Sequence, residues 1–416
     1  MAFERPRGTR DFSPEDMYDR DYVEGAVSRV FESFGYDRIL SPVFEYSELF
    51  QQKSGDEIKE HMYVFEDKGG RSLCLRPEET ACVCRMFVSD LRTRQLPVKL
   101  YYHCPMYRYE EPQKGRYREF WQTGVELIGS ESPDSDAEVV AMASLVLKGF
   151  GLDCTLNLSH MGVLKGLLSE MGFDDEKQGK IIALIDKGRL DDLKEFKVDK
   201  LFDILSLEGG VDAIEKAQNL LAGHKKPLKA LSELKEVARI LDFAGVKYNV
   251  KLGMARGLEY YTGIIFEVRV KGLGTQDQVC GGGRYDNLIE LFGGPKTPAV
   301  GFAFGFDRLV EAMQLQGKKF PEKNVDAYVA AAGDNVRMEA AKIALELRKN
   351  CHGKIIVFDL MGRKLGKALE HASNLKAKYA VIVGEKELAE KSATLKDMVS
   401  GGQEKVKLSE LPQRIK

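Results

Sequence analysis

Apolar positions fall at helical spacing near the start of the chain. Val23, Val27, Val30, Phe31 and Phe34 share one face of a helix over 15–34, and Gly35 stops it. The next segment, GYDRILSPVFEYSELF, alternates as a strand does, but Pro42 removes a ladder donor and marks an edge or a place where another chain abuts. Residues 61–80, HMYVFEDKGGRSLCLRPEET, predict a hairpin turning at Lys68-Gly69-Gly70 and leading into a helix from Thr80 to about Leu91. Two tyrosine-rich runs follow, KLYYHCPMYRY and REFWQTGVELIG. Between them EEPQKGR carries Pro112 and Gly115, which let the backbone double back, so the pair reads as a hairpin. From about 160 to 250 the pattern changes to short amphipathic helices, among them LKGLLSEMGF, KQGKIIALIDKG and ALSELKEVARIL. Strand character returns in GMARGLEYYTGIIFEVRV (253–270), with Tyr260, Tyr261 and Thr262 read as strand. It continues in VCGGGRYDNL (279–288), with three glycines following a strand, and in TPAVGFAFGFDRLVEAM (297–313), a small-residue strand entering a helix. Residues 314–324 are a polar linker. Beyond it VDAYVAAA, a helix over 335–349, KIIVFDL, a helix over 363–376 and KYAVIVG alternate as a small α/β domain.

Composition narrows the picture. A chain of 416 residues is too long for one ordinary core, so two or three domains are expected, and 44% hydrophobic against 30% charged residues is the balance of a soluble globular protein. The net charge of −2 gives no global basicity, so any nucleic-acid contact must use a local patch. Residues 325–416 hold 17 Lys/Arg against 12 Asp/Glu, whereas 1–324 hold 45 against 52. That asymmetry suits a domain that touches RNA phosphates, and it also suits mere solubility. The start, MAFERPRGTRDF, has no apolar leader, and nowhere do 18 apolar residues run together, so a cytoplasmic protein with no membrane span is expected. Seven scattered cysteines (74, 82, 84, 104, 154, 280, 351) include one close pair, Cys82 and Cys84, and read as reduced structural thiols, not as a metal site or disulfides.

The candidate chemistry sits on these strands. Arg108, Gln122 and Glu126 interrupt apolar runs, where an unpaired charge is costly, and the planar fork of Arg108 suits a phosphate. In LRPEET, Glu78 and Thr80 point the same way while also occupying a helix-cap position. Arg256 stands at an Arg-Gly corner before Tyr260 and Tyr261; a tyrosine pair in a strand is usually packing. Glycines at 281–283 would let backbone approach a ligand closely, although GGG alone is a weak nucleotide-loop signal.

The segment RYE-PQ-GRYREF-Q followed by GVE resembles motif 2 of class II aminoacyl-tRNA synthetases, in the form similar to the histidyl-tRNA synthetase family. Helix, strand and Pro42 resemble motif 1, TPAVGFAFGFDRL resembles motif 3, and LRPE-T is a family motif. RGLEYYTG and VCGGGRYDNL resemble the two histidine-specific motifs. The resemblance covers nearly the whole chain, with 161–249 least specific. It implies an α+β catalytic domain built on an antiparallel sheet (1–160 and 250–316), a helical insertion (161–249) and an α/β anticodon-binding domain (325–416), as a homodimer. It implies ATP-dependent activation of L-histidine and its transfer to the 3′ end of histidine tRNA, with Mg²⁺ accompanying ATP. By match, Arg108, Glu110, Arg256 and Arg308 take ATP, with Arg108 and Arg256 catalytic; Glu78, Thr80, Gln122, Glu126, Tyr260, Tyr261 and Tyr285 form the histidine pocket; and Gln113 meets the tRNA acceptor end. Two positions depart from the common pattern: Glu259 replaces the aspartate of RGLDYYTG, and Glu111 stands where many members have a second loop arginine, which bears on the extra 5′ guanosine of histidine tRNA. Two rivals are a non-catalytic relative that regulates histidine biosynthesis and a class II synthetase for another amino acid. Retained Arg256, Glu126 and residues 325–416 oppose the first; the two histidine-specific motifs oppose the second.

Overall fold

Ser13 opens the first helix, α1 (Pro14–Ser33), through a reciprocal box: its hydroxyl accepts from the Asp16 amide, and the Asp16 carboxylate accepts from the Ser13 amide. Val23, Val27 and Phe31 are fully buried along it, and Gly35 ends it at φ +81°. The computed structural model describes residues 3–51, 60–111, 116–196, 198–256, 260–274 and 277–415, which divide into two compact units, Met1–Phe320 and Pro321–Lys416.

The first unit is built on a nine-stranded sheet. Its strands are β1 (Asp37–Arg38), β2 (Val98–Tyr107), β3 (Glu119–Ile128), β4 (Cys154–His160), β5 (Glu208–Gly209), β6 (Asn249–Lys251), β7 (Ile264–Val270), β8 (Gln278–Arg284) and β9 (Ala299–Gly305). Across the sheet the order is β1-β2-β3-β9-β8-β7-β4-β6-β5. Pairing is antiparallel from β2 through β4, and parallel where β1 meets β2 and where β4 meets β6. Pro42 separates β1 from the strand Phe44–Tyr46, which belongs to a second, three-stranded sheet with Ser72–Leu75 and Val64–Glu66. The last two form the predicted hairpin, with Gly70 at φ +74° in its turn.

Helix α2 (Thr80–Met86) continues as a π-helical turn to Leu91, and α3 (Pro133–Gly149) lies against the sheet. The stretch after β4 is helical as its spacing predicts, beginning with α4 (Met161–Glu170), and Leu164, Leu167, Ile181, Leu231 and Leu234 join the same apolar core as the sheet. It also supplies β5, too short and polar to register as a strand in the sequence.

Two expectations need correcting. Tyr260, Tyr261 and Thr262 are not strand; β7 begins at Ile264. The Thr262 amide still bonds the Arg284 carbonyl (2.8 Å), and side chains hold the rest: Thr262 Oγ1 donates to Asp286 (2.8 Å), and Lys165 Nζ, from α4, donates to the Tyr261 carbonyl (2.6 Å). Gly281, Gly282 and Gly283 do not follow a strand but lie within β8, opposite Glu267–Ile265 on one side and Ala303–Gly301 on the other. A Cβ on Gly282 would meet the backbone of Gly301 and Phe302, so the ladder tolerates only glycine at this depth.

In the second unit β10 (Ala327–Ala331), β11 (Ile356–Phe358) and β12 (Tyr379–Val383) are parallel, and β13 (Ser392–Asp397) and β14 (Gln403–Lys407) add antiparallel strands, in the order β11-β10-β12-β13-β14. Alternate residues of β10 face opposite layers. Ala327 and Val329 pack with the helix Arg337–Asn350, and Tyr328 and Ala330 with Leu365–Asn374.

Candidate active site

One cleft of about 740 Å³ opens over the middle strands of the large sheet. Glu78, Thr80, Arg108, Glu110, Gln122, Arg256, Tyr260, Tyr261, Tyr285 and Arg308 all line it. Residues separated by more than 200 positions meet there because β3, β9 and β8 are adjacent while the strand-to-helix corner at 76–80 reaches over them. Gln113 and Glu259 lie outside the described residues.

Glu78 and Thr80 stand at the start of α2. The Glu78 carboxylate accepts from the amides of Thr80 (2.9 Å) and Ala81 (3.0 Å), so it caps the helix and is held still by it. Burial raises its pKa, with the Ala81 amide and the Arg108 charge opposing. Thr80 Oγ1 donates to Glu126 Oε1 at 2.8 Å, and the Tyr285 hydroxyl donates to Glu126 Oε2. Glu126 itself is fully buried and stands one layer behind the cleft wall, so its two partners, not Glu126, meet the cavity. Burial pushes its pKa up to about 8 against those two hydroxyl bonds, and the Glu78 and Glu79 charges add to the rise. Space for its carboxylate comes from β9: Gly301 pairs with Glu126 in the ladder, and a Cβ there would strike Glu126 Oε2. Tyr260 packs on Tyr261 (centroids 4.9 Å) and edge-on to Tyr285 (5.7 Å), closing an aromatic wall.

Three arginines face this wall from different elements. Arg108 lies one residue beyond β2, not inside it, with Nε donating to the Pro77 carbonyl (2.9 Å) and its fork over the Phe120 ring (5.2 Å). Arg308, on the first turn of the helix Phe306–Leu315, donates to the Gln278 carbonyl (3.1 Å). Burial and then the Arg116 charge lower its pKa, a cost that an anion in the cleft would offset. Arg256 lies over Gly281, where a Cβ would strike its guanidinium, and its buried Nε has no hydrogen-bond partner among the described residues. Glu110 pairs with Arg116 at 3.2 Å.

Several groups that shape the site carry no local sequence signal. Arg284 is buried and bonded to Asp136 on α3 (2.7 Å), and to Ser135 and the Ser130 carbonyl, which fixes the neighbouring Tyr285. The lead-in RPRGTR is not a free arm. Arg10 stacks on Tyr117 at 3.4 Å and pairs with Asp307 (2.9 Å), which Arg20 also holds (2.6 Å) and which accepts from the Trp121 amide. Arg5 and Arg7 stay exposed and pair with Asp11 (3.5 Å) and Glu111 (3.2 Å).

Comparison with known proteins agrees with this geometry. Residues 8–309 match the sequence model described as histidyl-tRNA synthetase, and 326–416 match the one described as anticodon binding domain. A Methanocaldococcus jannaschii protein named histidine–tRNA ligase is 44% identical over 420 residues, covering 99% of each chain. Apo histidyl-tRNA synthetase of S. aureus aligns over 100% of both chains with a TM-score of 0.74 and 29% identity. A Bacillus halodurans C protein described as an ATP phosphoribosyltransferase regulatory subunit/histidyl-tRNA synthetase aligns over 92% of this chain and 99% of its own, with a TM-score of 0.78 and 29% identity. The fold, the cleft with Arg108, Arg256 and Arg308 in it, and both sequence matches converge: the chain belongs to the histidyl-tRNA synthetase family.

Proposed function

We propose that the chain is a histidine–tRNA ligase, activating L-histidine with ATP and passing it to the 3′ end of histidine tRNA. The observation that carries this reading is the pairing, in one cleft, of a carboxylate–hydroxyl pocket with three arginines. In the first step a histidine carboxylate oxygen attacks the α-phosphorus of ATP, and the bond to the pyrophosphate oxygen breaks. Such a reaction needs charge neutralised and reactants held in line more than it needs covalent help. Arg108 and Arg256 serve the α-phosphate, Arg256 also the substrate carboxylate, Arg308 the γ-phosphate, and Glu110 the nucleotide. In the second step the terminal ribose hydroxyl attacks the adenylate carbonyl and AMP leaves; Gln113 faces the acceptor end in this assignment. Mg²⁺ bound with ATP would supply further charge neutralisation for the departing pyrophosphate. Among the described residues no three His, Cys, Asp or Glu side chains gather as a metal site.

Histidine is read by polar groups at both ends. Glu78, Thr80 and Gln122 receive the α-ammonium; Tyr261 and Tyr285 serve the two ring nitrogens, with Glu126 acting through the Thr80 and Tyr285 hydroxyls it holds and Tyr260 packed behind. A site with fixed hydrogen-bonding groups rejects rivals lacking them by roughly 10⁴–10⁵ without proofreading. Pyrophosphate exchange measured with each of the twenty amino acids tests the proposal: histidine alone should support it, and exchange with another amino acid, or with none, would refute it. The second outcome would favour a regulatory relative.

Residues 1–160 and 250–316 are assigned to catalysis, 161–249 to an insertion and 325–416 to anticodon binding. A truncated chain ending before 325 should keep histidine activation better than aminoacylation; equal loss of both in a folded truncation would place the tail in the catalytic machinery. Homodimerisation is assigned to the edge around Pro42, where Leu40 (70% exposed), Phe44 (55%) and Val64 (56%) lie uncovered. No helix among the described residues is long and apolar enough to cross a membrane; a cytoplasmic location is part of the proposal.

Glu126→Gln should raise the histidine KM with a cost of about 1–3 kcal/mol, because a carboxamide leaves the Thr80 and Tyr285 hydroxyls imperfectly paired, while the ATP KM stays near wild type. Its effect on stability has a defined sign. The folded pKa of about 8 lies above the ordinary value of 4.5, so the folded chain keeps a proton that the unfolded chain releases. Stability therefore falls as pH rises from 4.5 to 8, and the variant should flatten that part of the Tm–pH curve. An unchanged histidine KM in a folded variant would remove Glu126 from recognition.

A further inference from the structure

The corner from Arg76 to Glu79 belongs to neither a strand nor a helix, yet it carries Glu78, leads into Thr80, and presents the Pro77 carbonyl that holds Arg108. Something other than a ladder must fix it. Arg76 and Glu79 are both completely buried, a rare condition for charged side chains; Arg76 Nη2 and both Glu79 carboxylate oxygens have no hydrogen-bond partner among the described residues, so each charge rests on the other. The Arg76 fork reaches two separate parts of the chain. Nε donates to the Pro105 carbonyl in β2 (2.9 Å), while Nη1 donates to the carbonyl (2.8 Å) and hydroxyl (3.0 Å) of Ser41, beside Pro42. Glu79 Oε2 lies 3.5 Å from Nη1. The backbone of Arg76 is clamped as well: its amide donates to the Val43 carbonyl, and its carbonyl accepts from the Tyr107 amide, both at 3.0 Å.

We propose that Arg76, neutralised by Glu79, is a positioning residue for the reaction: it fixes the corner so that Glu78 and Thr80 face the substrate ammonium and Pro77 aims Arg108. The guanidinium touches no substrate and acts through its neighbours. Its planar fork is what the position requires, because a lysine ammonium on a single flexible stem cannot hold the Pro105 and Ser41 carbonyls in one fixed plane. The same fork ties the pocket to the segment 41–43 at the uncovered apolar edge, so movement of that edge is transmitted to Glu78 and Arg108 through one side chain. Apart from its place in the LRPE-T motif, Arg76 reads in the sequence as an ordinary arginine at a strand end.

The inference rests on the assignment of Glu78 to the ammonium, and the test separates the two. Glu78→Gln is the control: if histidine KM does not rise there, the assignment itself fails. The test variant is Arg76→Met with Glu79→Gln, which removes both charges together and leaves neither buried alone. In pyrophosphate exchange we expect a fall of at least thirtyfold in kcat/KM for histidine, with the melting temperature within a few degrees of wild type. Arg76→Lys, which keeps the charge but not the fork, should recover less than a tenth of the lost activity. A role in stability alone predicts the opposite, a lowered melting temperature with wild-type kinetic constants below it. Wild-type histidine kinetics in the folded double variant would overturn the proposal. If the double variant does not fold, Arg76→Lys decides alone: histidine kcat/KM within threefold of wild type would overturn it, and a tenfold or larger fall would support it.

Discussion

Arg256→Ala should nearly abolish adenylate formation while histidine and ATP still bind. Arg256 lies against β8 at Gly281, its guanidinium carbon 6.0 Å from the Tyr261 ring and its Nε buried without a hydrogen-bond partner among the described residues. A charge held this way in the empty protein is already where a developing phosphorane would need it, so it contributes most in the transition state. Losing one such contact costs about 3 kcal/mol or more, a fall of at least about a hundredfold in exchange rate. Lysine at the same place restores charge without the planar fork and should recover only part of the rate. Exchange within threefold of wild type would exclude Arg256 from the chemistry.

Gly301→Ala should be nearly as severe, by a different route. A single methyl group at this position would overlap Glu126 Oε2 and press on the Val125 carbonyl, and backbone cannot step aside as a flexible side chain can. Overpacking of this kind costs about 1–3 kcal/mol, and displacing Glu126 from its Thr80 and Tyr285 hydroxyls adds a further ~1–3 kcal/mol as buried polar groups lose their partners. Histidine activation should fall by at least about a hundredfold at saturating ATP, and the melting temperature should fall with it. Pairing Gly301→Ala with Glu126→Ala distinguishes the causes: if the clash with the carboxylate dominates, the second substitution should restore much of the lost stability but none of the histidine recognition. A Gly301→Ala protein with normal stability and normal histidine KM would show that the carboxylate has room to move.

Most of the fold was legible because periodicity reports burial. Val23, Val27 and Phe31 recur at helical spacing and are fully buried, and β2 and the second half of β3 read as apolar runs because most of their residues are buried, while the first half of β3 opens on the cleft. Tyr260–Thr262 misled for the same reason: aromatic and β-branched residues favour strands, and only the tertiary bonds from Lys165, Arg284 and Asp286 explain why these stay outside the ladder. At the site, Arg108 announced itself by charge beside apolar strands, whereas Arg256 and Arg308 were marked out by their resemblance to family motifs. The bond from Tyr285 to Glu126 spans 159 positions and leaves no trace in local pattern. Likewise Arg76 and Glu79 look like a polar strand end followed by a helix cap until Ser41 and Pro105 are seen to enclose them.

The position of β9 has a consequence for how the chain is made. It is the last strand of the large sheet in sequence, yet it lies between β3 and β8, near the sheet's centre. A nascent chain that ends before Ala299 therefore holds two half-sheets, each with an open edge, and lacks the glycine strand against which Glu126 is seated. Neither half can close its own hydrogen-bonding row, and open rows of this kind pair readily with other chains. Synthesis of the first unit thus passes through a long window of exposed edges that ends only when residues 299–305 leave the ribosome and slot between strands made well before them.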